Sequence, residues 1–505
     1  MADDNKRAIT FHIFTNKRKI FAIYFIFILA FLLRMSAIWP LGIYHPDEIF
    51  QYLEQAHRLT FGYGVIPWEY RYGMRGGLVS VLLGAAMKVG DFIAPNSFLY
   101  WQLPHILGAI LSLGVIWAAY NLGRQFSFFV ALLSAFVAAT WYEIVLFAAH
   151  PLTESLSFSA FMPAAYLLLS NNKNKNHIII SGFLLGLSAL LRFQYLPAIT
   201  FLTLFILKNK WKSWLFLIIG AAIALFLSCI ADLAIGQIPL LWFFENIQQN
   251  LIYHRSDDYG ISPLYTYFSD IHNNWKILFI ILPWPILKAT RYYPSLLGTA
   301  LVNIIFHMLI AHKEYRFVFL SSGILIILGA IGSALLVEEF TKYWSILPKK
   351  LLKISIFIFW GGASLLCSTP NVIHWYQYNG ILLSEKDAKT IPNLCGLIFF
   401  HIPYWKTGGY SLLHKNIPIY ILSSSISSTP ISQTMESLSP AVNAVITPIT
   451  FREKLPAEYR IFHCHNQKNE KTLENICIFV RHGKCTIRKN ANNLEINEVL
   501  KNMDQ

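Results

Sequence analysis

The chain has 505 residues, 55% of them hydrophobic and only 13% charged, and a formal net charge of +14. Soluble domains carry about 25% charged residues, so this composition excludes a soluble enzyme and makes the membrane the solvent. Nucleic acid is excluded as the partner of the positive charge, because Lys and Arg gather in short loops between apolar runs, as cytoplasmic loops do.

Lys6, Arg7, Lys17, Arg18 and Lys19 precede the run Ile20–Ile38, which is apolar except for Arg34 and Ser36. A signal peptide would have a shorter apolar core and a small-residue cleavage site. The run therefore predicts a retained anchor, with residues 1–19 in the cytoplasm. Further apolar segments fall near 77–94, 102–120, 128–147, 156–170, 178–191, 195–207, 212–236, 276–289, 294–311, 317–337 and 352–369. With the first, these make about twelve candidate spans within a membrane domain at 20–369. Basic loops at Lys173–Lys175, Lys208–Lys212, Lys288–Arg291 and Lys342–Lys353 are expected on the cytoplasmic side. Residues 370–505 then lie on the outer face, which requires an odd number of crossings. One segment must be a half-span or lie in the plane, and 77–147 is where it is expected.

The tail at 370–505 differs in character. Short β-type runs at Pro418–Leu422 and Ile476–Val480, and turn residues at Thr407-Gly408-Gly409, predict a small soluble domain of mixed α/β type. Six cysteines are present, none in a CxxC pair, so metal spacing is absent. Three of them lie within Cys464–Cys485, where a disulfide is expected if the tail meets an oxidising compartment.

Polar groups at membrane depth are expensive and mark function. On this topology the outer face collects His45-Pro46-Asp47-Glu48, Thr153-Glu154, Arg192 with Gln194 and Tyr195, the loop Glu245–Asp270, and His312-Lys313-Glu314-Tyr315-Arg316. The loop 40–76 is the expected catalytic segment. Asp47 and Glu48 form either a hydrated interfacial pair or a general base with its partner. The stretch Glu48–Thr60 is apolar at Ile49, Phe50, Leu53, Ala56 and Leu59, which predicts an amphipathic helix on the membrane surface, ended by Phe61-Gly62-Tyr63-Gly64. Arg71 and Arg75 read as interfacial anchors or as partners for a phosphate or carboxylate. Arg192 reads as a snorkelling side chain or as a cation facing the site. His312, Lys313 and Arg316 read as a solvated loop or as a cationic seat for a phosphate, with Glu314 holding one of the cations. Tyr259-Gly260 with Ser262-Pro263 is an ordinary turn or a substrate-contacting loop. P-loop, GxSxG, HExxH and GxGxxG patterns are absent from any credible context.

HPDE after the first span, FGYG, WEY with nearby arginines, and His312-Lys313-Glu314-Tyr315-Arg316-Phe317 occur in the order found in glycosyltransferase family 22. The chain resembles the mannosyltransferases of that family, which have the GT-C fold and build GPI-anchor and N-glycan precursors. Asp232 to Gly236, Asn246, Asn250, Tyr259-Gly260, Pro263 and Thr407-Gly408-Gly409-Tyr410-Ser411 with His414 resemble the branch that adds the third mannose of the GPI core. The pattern departs from the family at His150-Pro151-Leu152-Thr153-Glu154-Ser155 and at Leu264-Tyr265-Thr266. The Lys-, Asn- and Ile-rich composition and short loops fit a bacterial relative.

The resemblance implies an all-α polytopic GT-C protein of about 11–13 transmembrane helices with a small α/β outer domain. It implies an inverting mannosyl (hexosyl) transfer from a polyprenyl- or dolichyl-phosphate donor to a lipid-linked or GPI-like glycan acceptor, without a cofactor or metal. Asp47 would be the base and Glu48 its support. His45, Arg71, Arg75, Glu154, Arg192, Tyr259, His312, Lys313 and Arg316 would contact substrate. The expected place is a bacterial inner membrane or the endoplasmic reticulum membrane, with membrane lipids around the chain, no nucleic acid, and the site on the periplasmic or lumenal side. The rival readings are a secondary transporter or flippase of lipid-linked glycans, and a non-catalytic assembly subunit. A transporter would need carboxylates near the midplane and usually an inverted repeat, and the sequence offers neither.

Overall fold

The computed structural model describes residues 2–171, 173–343, 348–369, 377–423, 431–468, 473–486 and 493–503. Part of the basic loop at 342–353 and the start of the tail fall outside these residues.

Each predicted apolar segment is helical. After Ala2–Ile38 come Gly77–Ile93, Leu99–Arg124, Phe128–Thr140 with Tyr142–Ala149, Thr153–Leu169, Lys175–Leu191, Leu196–Leu207, Trp211–Ala234, Pro283–Thr290, Pro294–Met308, Phe319–Tyr343 and Lys349–Ser368. Among the described residues, five helices can cross a membrane by length and composition, and a sixth if the bent pair is one span; the rest are shorter. The bend of 52° separates Phe128–Thr140 from Tyr142–Ala149, inside the region where an irregular segment is expected. It has a local cause: Trp141 is extended (ψ 122°) and breaks the helical ladder.

Burial sorts the helices. Phe319–Tyr343 is buried from Phe319 to Ala334 and forms the axis of the bundle. Trp211–Ala234 instead exposes Ile218, Phe226 and Leu233, a surface suited to lipid and not to water. Where this outer helix meets Lys175–Leu191 the backbones touch: a methyl on Gly182 would lie 2.0 Å from the Leu217 carbonyl oxygen, and one on Gly220 1.9 Å from that of Ile179. Small residues allow such approach where lipid supplies no hydrophobic drive.

The segment Glu48–Phe61 is a correction to the sequence reading. It is a π-helical turn, Glu48–Leu53, running into the α-helix Glu54–Phe61, and every residue from Glu48 to His57 is buried. It does not lie on a surface, because Gly77–Ile93 packs on one side and the tail covers the other. Gly62 ends it as predicted, in the left-handed region at φ 86°.

The tail carries a five-stranded sheet of β1 (Leu397–Phe400), β2 (Ile419–Leu422), β3 (Ala444–Pro448), β4 (Arg460–Lys468) and β5 (Leu473–Val480) in the order β2-β1-β3-β5-β4. β1 is parallel to β2 and β3, while β5 runs antiparallel between β3 and β4. Two disulfides, Cys395–Cys485 and Cys464–Cys477, pin it. The tail reaches the loop through Gly409–Leu413. The Glu54 carboxylate accepts the backbone N–H of Val65 at 2.7 Å and that of Ser411, and His57 Nε2 meets His414 Nδ1 at 2.9 Å. Gly409 adopts φ +57°, and a Cβ there would stand 2.6 Å from Glu54 Oε1, so the conformation and the close approach both require glycine.

Candidate active site

The site begins where two motifs 269 residues apart meet. Asp47 follows a short turn in which its N–H donates to His45 Nδ1 at 3.2 Å, and Arg316 stands just ahead of the buried axial helix. Arg316 Nη2 donates to Asp47 Oδ2 at 2.5 Å, its Nε donates to Glu314 Oε2 at 2.6 Å, and its Nη1 lies 3.5 Å from Glu154 Oε1. One guanidinium thus gathers three carboxylates, a geometry open to its planar fork and closed to a lysine. His45 Nε2 closes the ring on Glu314 Oε2 at 3.2 Å. Burial alone would raise the Asp47 carboxyl, but the Arg316 and His45 charges outweigh it and hold the group well below the usual carboxylate range. Asp47 remains 21% exposed, which leaves it open to a substrate.

Beside this ring stand two further arginines, the half-buried Arg75 and the buried Arg192. Arg192 Nη1 lies 2.9 Å from Glu154 Oε1, and its guanidinium lies over the Phe317 ring at 4.5 Å. It is 7% exposed, so it faces the site and does not snorkel. Glu154 sits between two cations, Arg192 and Arg316. Arg192 Nε, Arg75 Nε and Arg316 Nη1 are buried without a hydrogen-bond acceptor among the described residues. Arg75 and Arg192 line one small cavity of about 40 Å³ with Tyr52, Tyr70, Thr153 and Asn246. Buried N–H groups left unpaired are costly, and two arginines lining one cavity suit an anion with several oxygens. Trp242, Phe193 and Leu190 also border an adjoining apolar cavity of about 530 Å³, walled by Leu185, Leu217 and Leu225.

Other predicted residues take different posts. Glu48 is fully buried and turns away from Asp47; its carboxylate lies 2.8 Å from His150 Nδ1 and 3.2 Å from His105 Nε2, and accepts the Tyr44 N–H at 3.2 Å. Burial would raise it, but the two histidines draw it down to about 2. It anchors the start of the π-helical turn and does not share Asp47's opening. Lys313 is also redirected: its ammonium donates to the carbonyls of Ser262 at 2.9 Å and Ile310 at 2.6 Å, which fixes the loop and leaves no charge aimed at Asp47. Arg71 donates to the carbonyls of Ile66 at 2.7 Å and Asn497 at 3.3 Å, so it ties the loop to the tail. His312 bridges Gly260 O and Glu314 Oε1, both at 2.9 Å, and Tyr259 stacks on Trp68 with ring centroids 6.0 Å apart, at the rim.

Three buried carboxylates escaped the sequence reading as site groups. Glu69, the acid of WEY, accepts from Gln51 Nε2 at 2.5 Å, and burial raises it to about 7 against the pull of Arg75. Asp232 accepts the N–H of Gly77 at 2.8 Å and of Leu240 at 3.0 Å, capping the helix that backs the loop. Glu143, at the helix bend, accepts from Trp141 Nε1 at 2.9 Å, Trp275 Nε1 at 3.3 Å and the Tyr315 hydroxyl. Its signal was an acid inside an apolar run, the kind of residue that membrane depth flags.

A profile of the Alg9-like mannosyltransferase family matches residues 23–396. The chain belongs to that family. Its similar relatives include GPI alpha-1,2-mannosyltransferase 3 of Bos taurus, 28% identical over 293 residues that cover 54% of this chain and 52% of the relative. GPI mannosyltransferase 3 of Drosophila melanogaster is 24% identical over 434 residues, covering 79% and 71%. That of Yarrowia lipolytica is 25% identical over 410 residues, covering 77% and 74%. The chain thus spans about half the length of the bovine relative and about three quarters of the Yarrowia one. The crystal structure of ArnT from Cupriavidus metallidurans bound to undecaprenyl phosphate has a TM-score of 0.57 at 9% identity, covering 92% of this chain and 99% of that one. The Alg9-like family member described here therefore has the GT-C fold, built on apolar helices with a small sheet domain behind.

Proposed function

We propose that the protein transfers a mannosyl residue from a polyprenyl- or dolichyl-phosphate donor to a hydroxyl of a lipid-linked, GPI-like glycan, with inversion and with Asp47 as general base. The observation that carries this reading is the partly exposed Asp47 carboxylate held by Arg316, with Arg75 and Arg192 lining one cavity and their buried Nε groups lacking acceptors among the described residues. A phosphate in the Arg75, Arg192 and Arg316 region supplies those acceptors. It also competes with Asp47 for Arg316, which loosens the ion pair and restores basicity to the carboxylate when a donor is bound. Asp47 then takes the acceptor hydroxyl's proton as that oxygen attacks the anomeric carbon, and the bond from this carbon to the phosphate oxygen breaks. The polyprenyl phosphate leaves as an anion held by the arginines, so no second acid is needed. The apolar cavity beside Trp242 suits the first isoprene units of the donor.

An outer-face site is supported by the two tail disulfides, which fit an oxidising compartment, and by the basic loops of the opposite side. The mannosyl preference and the GPI-like acceptor rest on the family and on the names of the relatives. The test is transfer by purified protein from polyprenyl-phosphate mannose, with glucose and arabinose analogues as competitors. Asp47→Asn should abolish transfer while the variant still folds and binds donor, with a melting temperature lowered by the loss of the Arg316 pair. Unchanged turnover in that variant removes Asp47 from the chemistry, and activity with nucleotide sugars alone overturns the donor.

A further inference from the structure

In the tail, three side chains converge with no part in the transfer reaction. β4 is the edge strand of the sheet, and its residues His463 and His465 are two apart, so both imidazoles leave the same face of the strand. Cys464 between them points to the opposite face. Its disulfide to Cys477, its partner across the ladder, fixes the register that sets the two rings side by side, centroids 4.4 Å apart. Asp387 arrives from the last turn of the helix Asn379–Ala388, which packs over β4. A single oxygen, Asp387 Oδ2, meets His463 Nδ1 at 2.7 Å and His465 Nε2 at 2.8 Å.

We propose that Asp387, His463 and His465 form a binding site for a divalent transition cation of the zinc class. The three donor atoms all lie within 4.8 Å of one another. Two imidazole nitrogens and one carboxylate oxygen suit a borderline cation such as Zn²⁺; Ca²⁺ and Mg²⁺ take oxygen ligands almost alone. Around such an ion, ligand atoms stand about 3.3 Å apart at metal–ligand distances near 2.0 Å. The present hydrogen bonds are about half an ångström tighter than that, and His463, 55% exposed, is free to swing outward. The same exposure leaves a fourth coordination position to water.

Neither the cysteine spacing nor the family resemblance implies a metal; strand alternation and a helix 76 residues upstream make this set. The ion would join the helix to an otherwise open sheet edge. That helix also carries Glu385, which accepts the Gly408 N–H at 2.7 Å, next to the turn that meets Glu54. Metal binding would therefore stiffen the piece of tail that covers the catalytic loop. The site does not depend on the proposed mannosyl transfer.

The test uses full-length protein without a histidine tag, in detergent, with its disulfides intact and stripped with a chelator. Titration with ZnCl₂ should give one tight equivalent per chain and raise the melting temperature by about 5 °C. Co²⁺ should give the visible absorption of a four- or five-coordinate site with nitrogen and oxygen ligands. His463→Ala/His465→Ala should lose the equivalent, the shift and the cobalt spectrum, while melting like the stripped wild type. Asp387→Asn, which keeps a polar partner for both rings, serves if the double variant does not fold. Absence of zinc binding in the wild type, or equal binding in wild type and variants, overturns the assignment.

Discussion

The Arg316 guanidinium donates to the Asp47 carboxylate at 2.5 Å, joining the residue that follows the first span to the one that precedes the axial helix. Because the same guanidinium also holds Glu314 and approaches Glu154, its shape matters as much as its charge. Arg316→Lys keeps the charge but can serve only one direction well. Turnover should fall about 10²-fold, the cost of a small misplacement of reacting groups, with a rise in KM for the lipid-phosphate donor. Steady-state kinetics of wild type and Arg316→Lys in one detergent decide it, and wild-type kinetics in the lysine variant would refute the fork.

The low position of Asp47 has a pH signature. Its pairing with Arg316 contributes stability above the ordinary carboxylate range and loses it only as pH falls through the depressed folded-state value. Between pH 5 and 8 the unliganded site should therefore show no titration assignable to Asp47. An acid limb of kcat in that window would instead report the carboxylate after donor binding has drawn Arg316 away. A limb in the free enzyme, seen in kcat/KM, would contradict the ion pair.

Glu154 lies buried between Arg192 and Arg316, so removing its charge leaves two cations facing each other. Glu154→Gln should destabilise the protein by about 3 kcal/mol, the lower range for breaking a buried ion pair. The Glu154→Gln/Arg192→Met double variant should recover part of that loss. Thermal melting across the four proteins of the cycle measures the coupling, and strict additivity would show that the pair does not interact.

Glu54 gives a prediction of opposite sign. Burial raises its carboxyl to about 7, only partly offset by the N–H groups of Val65 and Ser411. A carboxyl raised in the folded state contributes stability that is full below its unfolded value, near 4.5, and is lost as pH rises through about 7. Glu54→Gln removes this term, so the melting temperature of the variant relative to wild type should climb between pH 5 and 8. Parallel curves would show that Glu54 stays ionised.

Gly409→Ala probes the clamp directly. The new methyl enters the left-handed region and meets the Glu54 carboxylate at 2.6 Å. Strain of about 1–3 kcal/mol is expected, released by parting the tail from the loop. Protease cleavage near 62–67 should accelerate and transfer should fall. A variant with wild-type cleavage and activity would mean that the clamp does not support the loop.

Much of this arrangement was legible before folding. Apolar runs gave the helices, and Asp47, Glu154, Arg192 and Arg316 stood out because ionised groups beside apolar runs need partners. Short β-type runs located β2 and β5. What stayed hidden depended on distant pairing. Glu48 looked like the twin of Asp47, yet its fate was set by His105 and His150, 57 and 102 residues away. Lys313 reads with His312 and Arg316 as a phosphate seat, but its ammonium donates to three nearby carbonyls. The Glu48–Thr60 pattern was read as half-wet because nothing in its own residues announces that Gly409–Leu413 will cover the polar side.

That cover has a consequence for how the protein is made. Glu54 and Ser411 are separated by 357 residues, an interval of roughly 20–70 s at translation rates of about 5–20 residues per second. During that time Glu54 and His57 lack their partners from the tail. A chain that stopped before residue 409 would carry Glu54 and His57 without those partners. The Gly409–Leu413 turn therefore joins the fold late, and the Glu54 pocket stays open until that turn has been made.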